Sequence, residues 1–227
     1  MARTHEFGSG PLFTAAARIY GTAVCGFLLV AANLPLVLSP LFLSAPGGML
    51  WLALTAIPVG PAVVAGASAY RRLLAGTSRS VSRDFLRALR SSAADATAVW
   101  LPFLGLLTMA GVNLLHLGDL SPQLQSPLRA GLVLFSVLVC TTAINALMIV
   151  SRFRFRTRDA VRLAFWCLGA RKRASLAIAA VVVLSAWVLT QTTVFLLPFL
   201  SGPLVCVVTA ISRPVLSLVE ERFTVAA

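Results

Sequence analysis

Charged side chains are scarce in this chain of 227 residues: they make up 11% of it, whereas 59% of the residues are hydrophobic. Acidic side chains are the scarcest, with 7 aspartates and glutamates against 19 lysines and arginines. The mean hydropathy of +0.92 is too high for an ordinary soluble domain. The composition therefore excludes most secreted, cytosolic and nucleic-acid-binding proteins and indicates an integral membrane protein.

Paired cysteines and catalytic motifs are missing as well. The four cysteines are scattered without a Cys-x-x-Cys pair, which predicts neither a disulfide framework nor a zinc site. The sequence contains no Gly-rich phosphate loop, no His-Glu-x-x-His helix and no nucleophile elbow. Because no Asp, Glu or Lys lies near the middle of an apolar run, a proton-driven pump is disfavoured. We therefore expect no enzymatic activity, no cofactor and no metal.

Long apolar runs are what the sequence does contain. A helix needs about 20 apolar residues to cross the hydrocarbon core, and backbone groups in lipid must be bonded within their own segment. The sequence predicts an all-α, polytopic integral membrane protein with six transmembrane helices, at about residues 19–43, 48–70, 97–117, 128–150, 174–197 and 203–219.

Basic residues lie mostly on one side of these predicted spans, and Arg129, at the start of the fourth span, is the exception. Residues 71–90 contain six arginines, and residues 152–173 contain seven arginines and Lys172. The opposite connections, at 44–47, 118–127 and 198–202, contain the single acid Asp119 and no base. Cytoplasmic loops carry the excess of lysine and arginine. We expect both termini in the cytoplasm, and we interpret the net charge of +12 as a topology signal.

The two basic segments resemble each other, since Ser82-Arg83-Asp84 aligns with Thr157-Arg158-Asp159 at an offset of 75 residues. This similarity predicts a single membrane domain, 1–227, of three hairpins with pseudo-repeats 1–78, 79–156 and 157–227. Each basic segment is predicted to form an amphipathic helix on the membrane surface, with Ser82 or Thr157 as its cap. The candidate contacts to anionic lipid headgroups are Arg83, Arg87, Arg90, Arg154, Arg156, Arg158 and Arg162.

Amides and small residues within the spans have two interpretations each. Asn33, Asn113 and Gln191 could line a polar cavity that opens outward, or they could form hydrogen bonds between helices. A run of small residues could form a helix-packing face beside a fixed proline kink, or a broken helix that exposes carbonyls to a substrate. The residues of this candidate packing face are Gly60, Pro61, Ala62, Gly66 and Ala69.

Three short motifs carry a family resemblance over about residues 10 to 115. They are Asn33-Leu34-Pro35, the run from Pro58 to Ala62, and Asp84-Phe85 at the start of the basic helix that leads to Trp100. Together they resemble the YesL-like family, which consists of bacterial inner-membrane proteins of unassigned function. The resemblance implies a location in the bacterial cytoplasmic membrane. It also implies a genomic context of carbohydrate ABC importers, and no catalytic residues.

Two functions of different classes follow from these expectations. The first is a non-enzymatic accessory protein that binds a partner, either the permease subunits of a carbohydrate ABC importer or a second copy of this chain. Anionic lipid is an expected partner and nucleic acid is not. The second is a small solute transporter or channel whose outward-facing cavity is lined by the three amides.

Overall fold

The computed structural model describes residues 11–39, 48–78, 80–119, 121–153, 157–191 and 197–223. Of these residues 92% are helical and none forms a strand, so the all-α prediction is confirmed. Four helical segments are long and apolar enough to cross a membrane: Ala15–Ala32, Gly48–Leu74, Val81–Gly118 and Gln123–Val150. Leu200–Ile211 is a shorter apolar helix. Arg154 and Arg156 lie outside the described residues.

Ten α-helices follow one another along the described chain. In order they are α1 (Pro11–Ala32), α2 (Leu34–Leu38), α3 (Gly48–Thr55), α4 (Val59–Leu74), α5 (Val81–Leu115), α6 (Pro122–Val150), α7 (Thr157–Ala170), α8 (Lys172–Gln191), α9 (Leu197–Ile211) and α10 (Arg213–Phe223). A short 3₁₀ turn, His116–Asp119, follows α5.

Three of the predicted spans are broken near proline. The first is interrupted at Asn33, two residues before Pro35, and the second between Thr55 and Val59, around Pro58. The last is interrupted at Ser212, between α9 and α10. Proline has no N–H group and its ring clashes with the carbonyl four residues earlier, so the helical hydrogen-bond ladder stops there. The apolar runs are real, but each of these three consists of two helices.

The first basic segment does not form a separate surface helix, which corrects that prediction. It continues into the third predicted span as α5, a helix of 35 residues with a length of about 52 Å at 1.5 Å per residue. The linking segment 91–98 contains four alanines and no Gly or Pro, so nothing in it interrupts the helix. Asp84 lies in the first turn as expected, whereas the N-cap is Ser80 and not Ser82. The second segment does form a helix of its own, α7.

Helix α4 lies at the centre of the bundle and contacts α1, α5, α6 and α9. Its small side chains permit this close approach, and Ala62, Ala65, Ala67 and Ala69 have no exposed surface. The longer α5 packs along α4 and α6, and α6 in turn contacts α7 and α8. We call the end at which α4 ends and α5 begins the arginine-rich end.

The break between α3 and α4 is closed by a side chain from α5. The indole Nε1–H of Trp100 donates a hydrogen bond of 2.9 Å to the carbonyl of Ala56, which also accepts one of 3.2 Å from the Val59 N–H. At Gly60 a Cβ atom would lie 2.6 Å from the Cβ of Trp100, so only glycine allows the ring to approach. The carbonyl at this kink is therefore bonded within the chain, which agrees with a fixed kink.

Replacing Trp100 with phenylalanine tests this contact. We expect the free energy of unfolding to fall by about 0.5–1.5 kcal/mol, because the Ala56 carbonyl loses one of its two donors while most of the aromatic packing remains. Reversible unfolding in detergent measures the change. Tyr20, of which 72% is exposed, supplies the control, and Tyr20→Phe is expected to change little. Equal effects of the two substitutions would contradict the assignment.

Helix α7 packs on the bundle through Ala160, Ala164 and Cys167, none of which has exposed surface. Burial raises the pKa of the Cys167 thiol from its ordinary value of 9.0 to about 11. Its neutral form is therefore favoured in the folded state. The neutral thiol makes its full contribution to the free energy of unfolding below about pH 9, and this contribution is lost as the pH rises towards 11.

We accordingly expect Cys167 to resist thiol reagents in the folded protein at pH 8. The thiolate is the reactive species, and here it is both scarce and inaccessible. The measurement is the modification rate of a variant that keeps this cysteine alone, compared before and after denaturation. Rapid modification of the folded protein at pH 8 would show that α7 does not pack as described.

Candidate functional site

All five residues of the candidate packing face are buried within the chain. Gly60 faces Trp100 of α5, whereas Gly66 faces the other side, where a Cβ would contact Val205 of α9 and Leu29 of α1 at 3.4 and 3.5 Å. These small residues therefore let α4 approach its own neighbours. Helices α1, α5 and α9 of the same chain already cover this face, so it is not available to a partner helix.

The three predicted cavity amides lie in different settings. Asn33 donates through Nδ2 to the carbonyl of Leu29, at 2.8 Å, and its Oδ1 is buried without a hydrogen-bond partner among the described residues. Asn113 is exposed and donates to the carbonyl of Met109, also at 2.8 Å. Gln191 is the exposed last residue of α8. The amide groups of Asn33 and Asn113 thus donate to carbonyls four residues earlier in the chain, and not to a neighbouring helix.

Asn113 lies in an open groove between α3 and α5 with a volume of about 500 Å³. The wall of this groove is apolar apart from Asn113 and Thr108, and neither Asn33 nor Gln191 lines it. Thr108 donates to the carbonyl of Leu104 at 2.8 Å, so its hydroxyl is also used within its own helix. The groove therefore offers a ligand little polar surface.

The arginines of α5 form one exposed basic face. Arg83, Arg87 and Arg90 line an open groove of about 700 Å³ with Leu86 and three serines, and no acidic residue in the described part of the chain lines it. On α7, Arg158 and Arg162 are exposed as well. These five candidate headgroup ligands are thus accessible to an anionic partner.

A smaller polar cleft, which sequence reasoning missed, lies at the arginine-rich end between α4, α5 and the end of α6. Its volume is about 300 Å³. Its wall carries three arginines, four serines and two aspartates: Arg72, Arg87, Arg152, Ser68, Ser91, Ser92, Ser151, Asp84 and Asp95. We call it the arginine cleft. It brings charged groups of α4 and α5 together with Arg152, which lies in the turn after α6 and is distant from them in sequence.

Arg71 lies beside the arginine cleft and forms hydrogen bonds to two serines of its wall. Its guanidinium donates to the hydroxyl of Ser151 at 2.8 Å and to that of Ser68 at 3.3 Å, and it also donates to the Ser151 carbonyl. Ser151 is the C-cap of α6, so Arg71 satisfies a helix-end carbonyl that has no partner in its own helix. All of these partners are neutral.

Two ion pairs occupy the cleft wall. Arg72 donates to the carboxylate of Asp84 at 3.1 Å, and the Ser78 hydroxyl donates to the same carboxylate at 2.8 Å. Arg152 donates to Glu220 of α10 at 2.6 Å. No ion pair involves Arg71, Arg87 or Asp95 among the described residues. The cleft is therefore charged and only partly neutralised.

The core beside this end of the bundle is polar in part. Asn145 on α6 has no exposed surface, and neither atom of its amide has a hydrogen-bond partner in the described chain. The hydroxyls of Ser175 on α8 and Thr209 on α9 are buried in the same way. Buried groups of this kind are commonly satisfied by ordered water.

No family model matches this chain, and neither a curated protein nor a solved structure is significantly similar to it. Among the described residues no group of three or more His, Cys, Asp or Glu side chains could hold a metal ion.

Proposed function

We propose that this chain is a non-enzymatic accessory protein of the bacterial cytoplasmic membrane that binds a partner through its cytoplasmic side. It has six spans, with α8 and α9 completing the four candidate spans, and both termini lie in the cytoplasm. The basic segments follow the distribution typical of cytoplasmic loops. The proposed partner is the permease of a carbohydrate ABC importer, as the resemblance to YesL-like proteins implies.

The observation that supports this proposal most is the length of α5. The hydrocarbon core is about 30 Å thick and α5 is about 52 Å long. Its first turns, with Phe85 on the bundle side and Arg83, Arg87 and Arg90 exposed, therefore extend beyond the lipid. An exposed basic face held on a rigid helix suits an acidic surface of a partner or anionic headgroups.

Copurification tests the accessory function. The full chain is extracted in mild detergent from its native host, and the proteins that elute with it are identified by mass spectrometry. We expect importer permease subunits in the wild-type sample and their depletion when Arg83, Arg87 and Arg90 are replaced together by glutamine. The matched control replaces Arg158 and Arg162 of α7. Repeated recovery of the chain without any permease would contradict the proposal.

The transporter remains the second candidate because Asn113 and Thr108 lie in the groove between α3 and α5. Solute flux into liposomes that contain only this protein distinguishes the two functions. Flux that Asn113→Leu abolishes, in a variant that still folds, would favour the transporter. Under the accessory function we expect the purified protein to give no flux above that of empty liposomes.

A further inference from the structure

The arginine cleft has the shape and the donors of a small anion site. Its volume of about 300 Å³ lies at the lower end of the range of ligand pockets and suits a group of phosphate size. Guanidinium groups bind tetrahedral oxyanions through two parallel hydrogen bonds, which makes arginine the usual residue for phosphate recognition. Arg72 reaches the cleft from α4, Arg87 from α5 and Arg152 from the turn after α6.

The charge balance of the cleft also favours an anion. Three arginines, Arg72, Arg87 and Arg152, and two aspartates, Asp84 and Asp95, line the cleft. Two further charged residues contact its wall: Arg71, which bonds Ser151, and Glu220, which pairs with Arg152. The total is four arginines and three carboxylates. One positive charge therefore remains when all are counted. Arg71 is half-buried, and its hydrogen-bond partners among the described residues are neutral. A buried charge of this kind is normally compensated by an opposite charge.

Arg87 is the residue best placed to bind such an anion. Its side chain lines both the arginine cleft and the exposed basic face of α5, and no carboxylate pairs with it among the described residues. Arg72 and Arg152 already share their charge with Asp84 and Glu220. Ser91 adds a hydroxyl at the same junction, and its hydrogen bond to the Ala88 carbonyl is long, at 3.3 Å.

We propose that the arginine cleft is a binding site for a phosphate group, with Arg87 as its main ligand and Arg72 and Arg152 as supporting cations. The phosphate comes from a free phosphate compound of the cytoplasm or from the headgroup of an anionic lipid. This site goes beyond the accessory function, since it requires neither an importer nor any other protein partner.

The test uses the full chain purified in an uncharged detergent, with inorganic phosphate as the first probe. We expect phosphate to raise the midpoint of thermal unfolding of the wild type, relative to sodium chloride of equal ionic strength. Arg87→Gln should weaken phosphate binding at least tenfold, and Arg129→Gln, which changes an exposed arginine near the start of α6, should not. Because Arg87 is exposed, its replacement should leave the fold intact.

The opposite change supplies a second variant. Asp95→Asn removes a carboxylate that lines the cleft without an ion pair in the described chain, so phosphate should bind more tightly to it. Arg87→Lys keeps the charge but loses the planar fork, and its affinity should lie between those of Arg87→Gln and the wild type.

The second probe is a nanodisc of phosphatidylglycerol compared with one of phosphatidylcholine. Stabilisation by free phosphate that depends on Arg87 identifies a soluble phosphate compound as the source. Stabilisation by phosphatidylglycerol alone, again lost in Arg87→Gln, identifies the lipid headgroup. The proposal is overturned if neither probe stabilises the protein, or if Arg87→Gln and Arg129→Gln behave alike.

Discussion

Replacing Gly202 with valine is expected to force α9 away from α1 and to destabilise the folded chain strongly in detergent. A Cβ atom at this position would lie 2.4 Å from the carbonyl oxygen of Thr22 and 3.2 Å from the backbone of Gly26. Both neighbours are backbone atoms of α1, so no side-chain rotation can relieve the clash. The Ser201 hydroxyl also donates to the Gly26 carbonyl, at 3.1 Å, and would be displaced.

The expected loss in the free energy of unfolding is about 3 kcal/mol or more, at the upper end of the cost of overpacking. Reversible unfolding in detergent measures it. Gly131 of α6 provides a matched control, because nothing lies within 4 Å of a Cβ built there. Gly131→Ala should leave stability unchanged or raise it by up to about 1 kcal/mol. Tolerance of valine at Gly202 would show that α1 and α9 do not pack as described.

The second large effect is expected from Phe85→Ala. Phe85 lies in the second turn of α5 and is only 1% exposed, within a cluster that includes Ala65, Ala69 and Cys25. Truncating a buried phenylalanine removes its apolar burial and leaves a cavity, at a cost of about 3–5 kcal/mol. Without this side chain, the first turns of α5, which carry Arg83, Arg87 and Arg90, lose their main contact with α4.

The neighbouring residue makes this prediction specific. Leu86 is 47% exposed and lines the open basic groove, so Leu86→Ala should cost less than about 1 kcal/mol. Unfolding experiments give both energies, and hydrogen exchange of residues 81–90 shows whether the extension has been released. If both substitutions had the same small effect, the start of α5 would not be held against the bundle.

Much of the fold follows from the sequence because apolar runs in lipid can form only helices or closed barrels. Prolines accompany the breaks in three of the predicted spans, whereas Pro102 lies inside α5 without ending it. The continuity of α5 was not predicted, because Arg83, Arg87 and Arg90 suggested a surface helix. The signal that could have revealed it is the uninterrupted, alanine-rich segment 91–98.

The site was harder to predict because it depends on long-range contacts. Arg71 and Ser151 are 80 residues apart, and Arg152 and Glu220 are 68 residues apart. Periodicity along one helix identifies the basic face of α5, but it says nothing about which arginines meet across α4, α5 and α6. The amphipathic pattern predicts Arg87 to be a headgroup ligand, but it does not indicate that Arg87 borders a cleft.

The sidedness of the arginine-rich end is the central claim, because both proposed sites require it to face the cytoplasm. Cysteine labelling of intact cells with a membrane-impermeant maleimide tests it most directly. Ser91 and Ser121 are exposed at opposite ends of the helical hairpin formed by α5 and α6. The unmodified chain controls for its four native cysteines. The account predicts labelling of Ser121→Cys from outside and of Ser91→Cys only after the membrane is permeabilised. Labelling of Ser91→Cys in intact cells would contradict it.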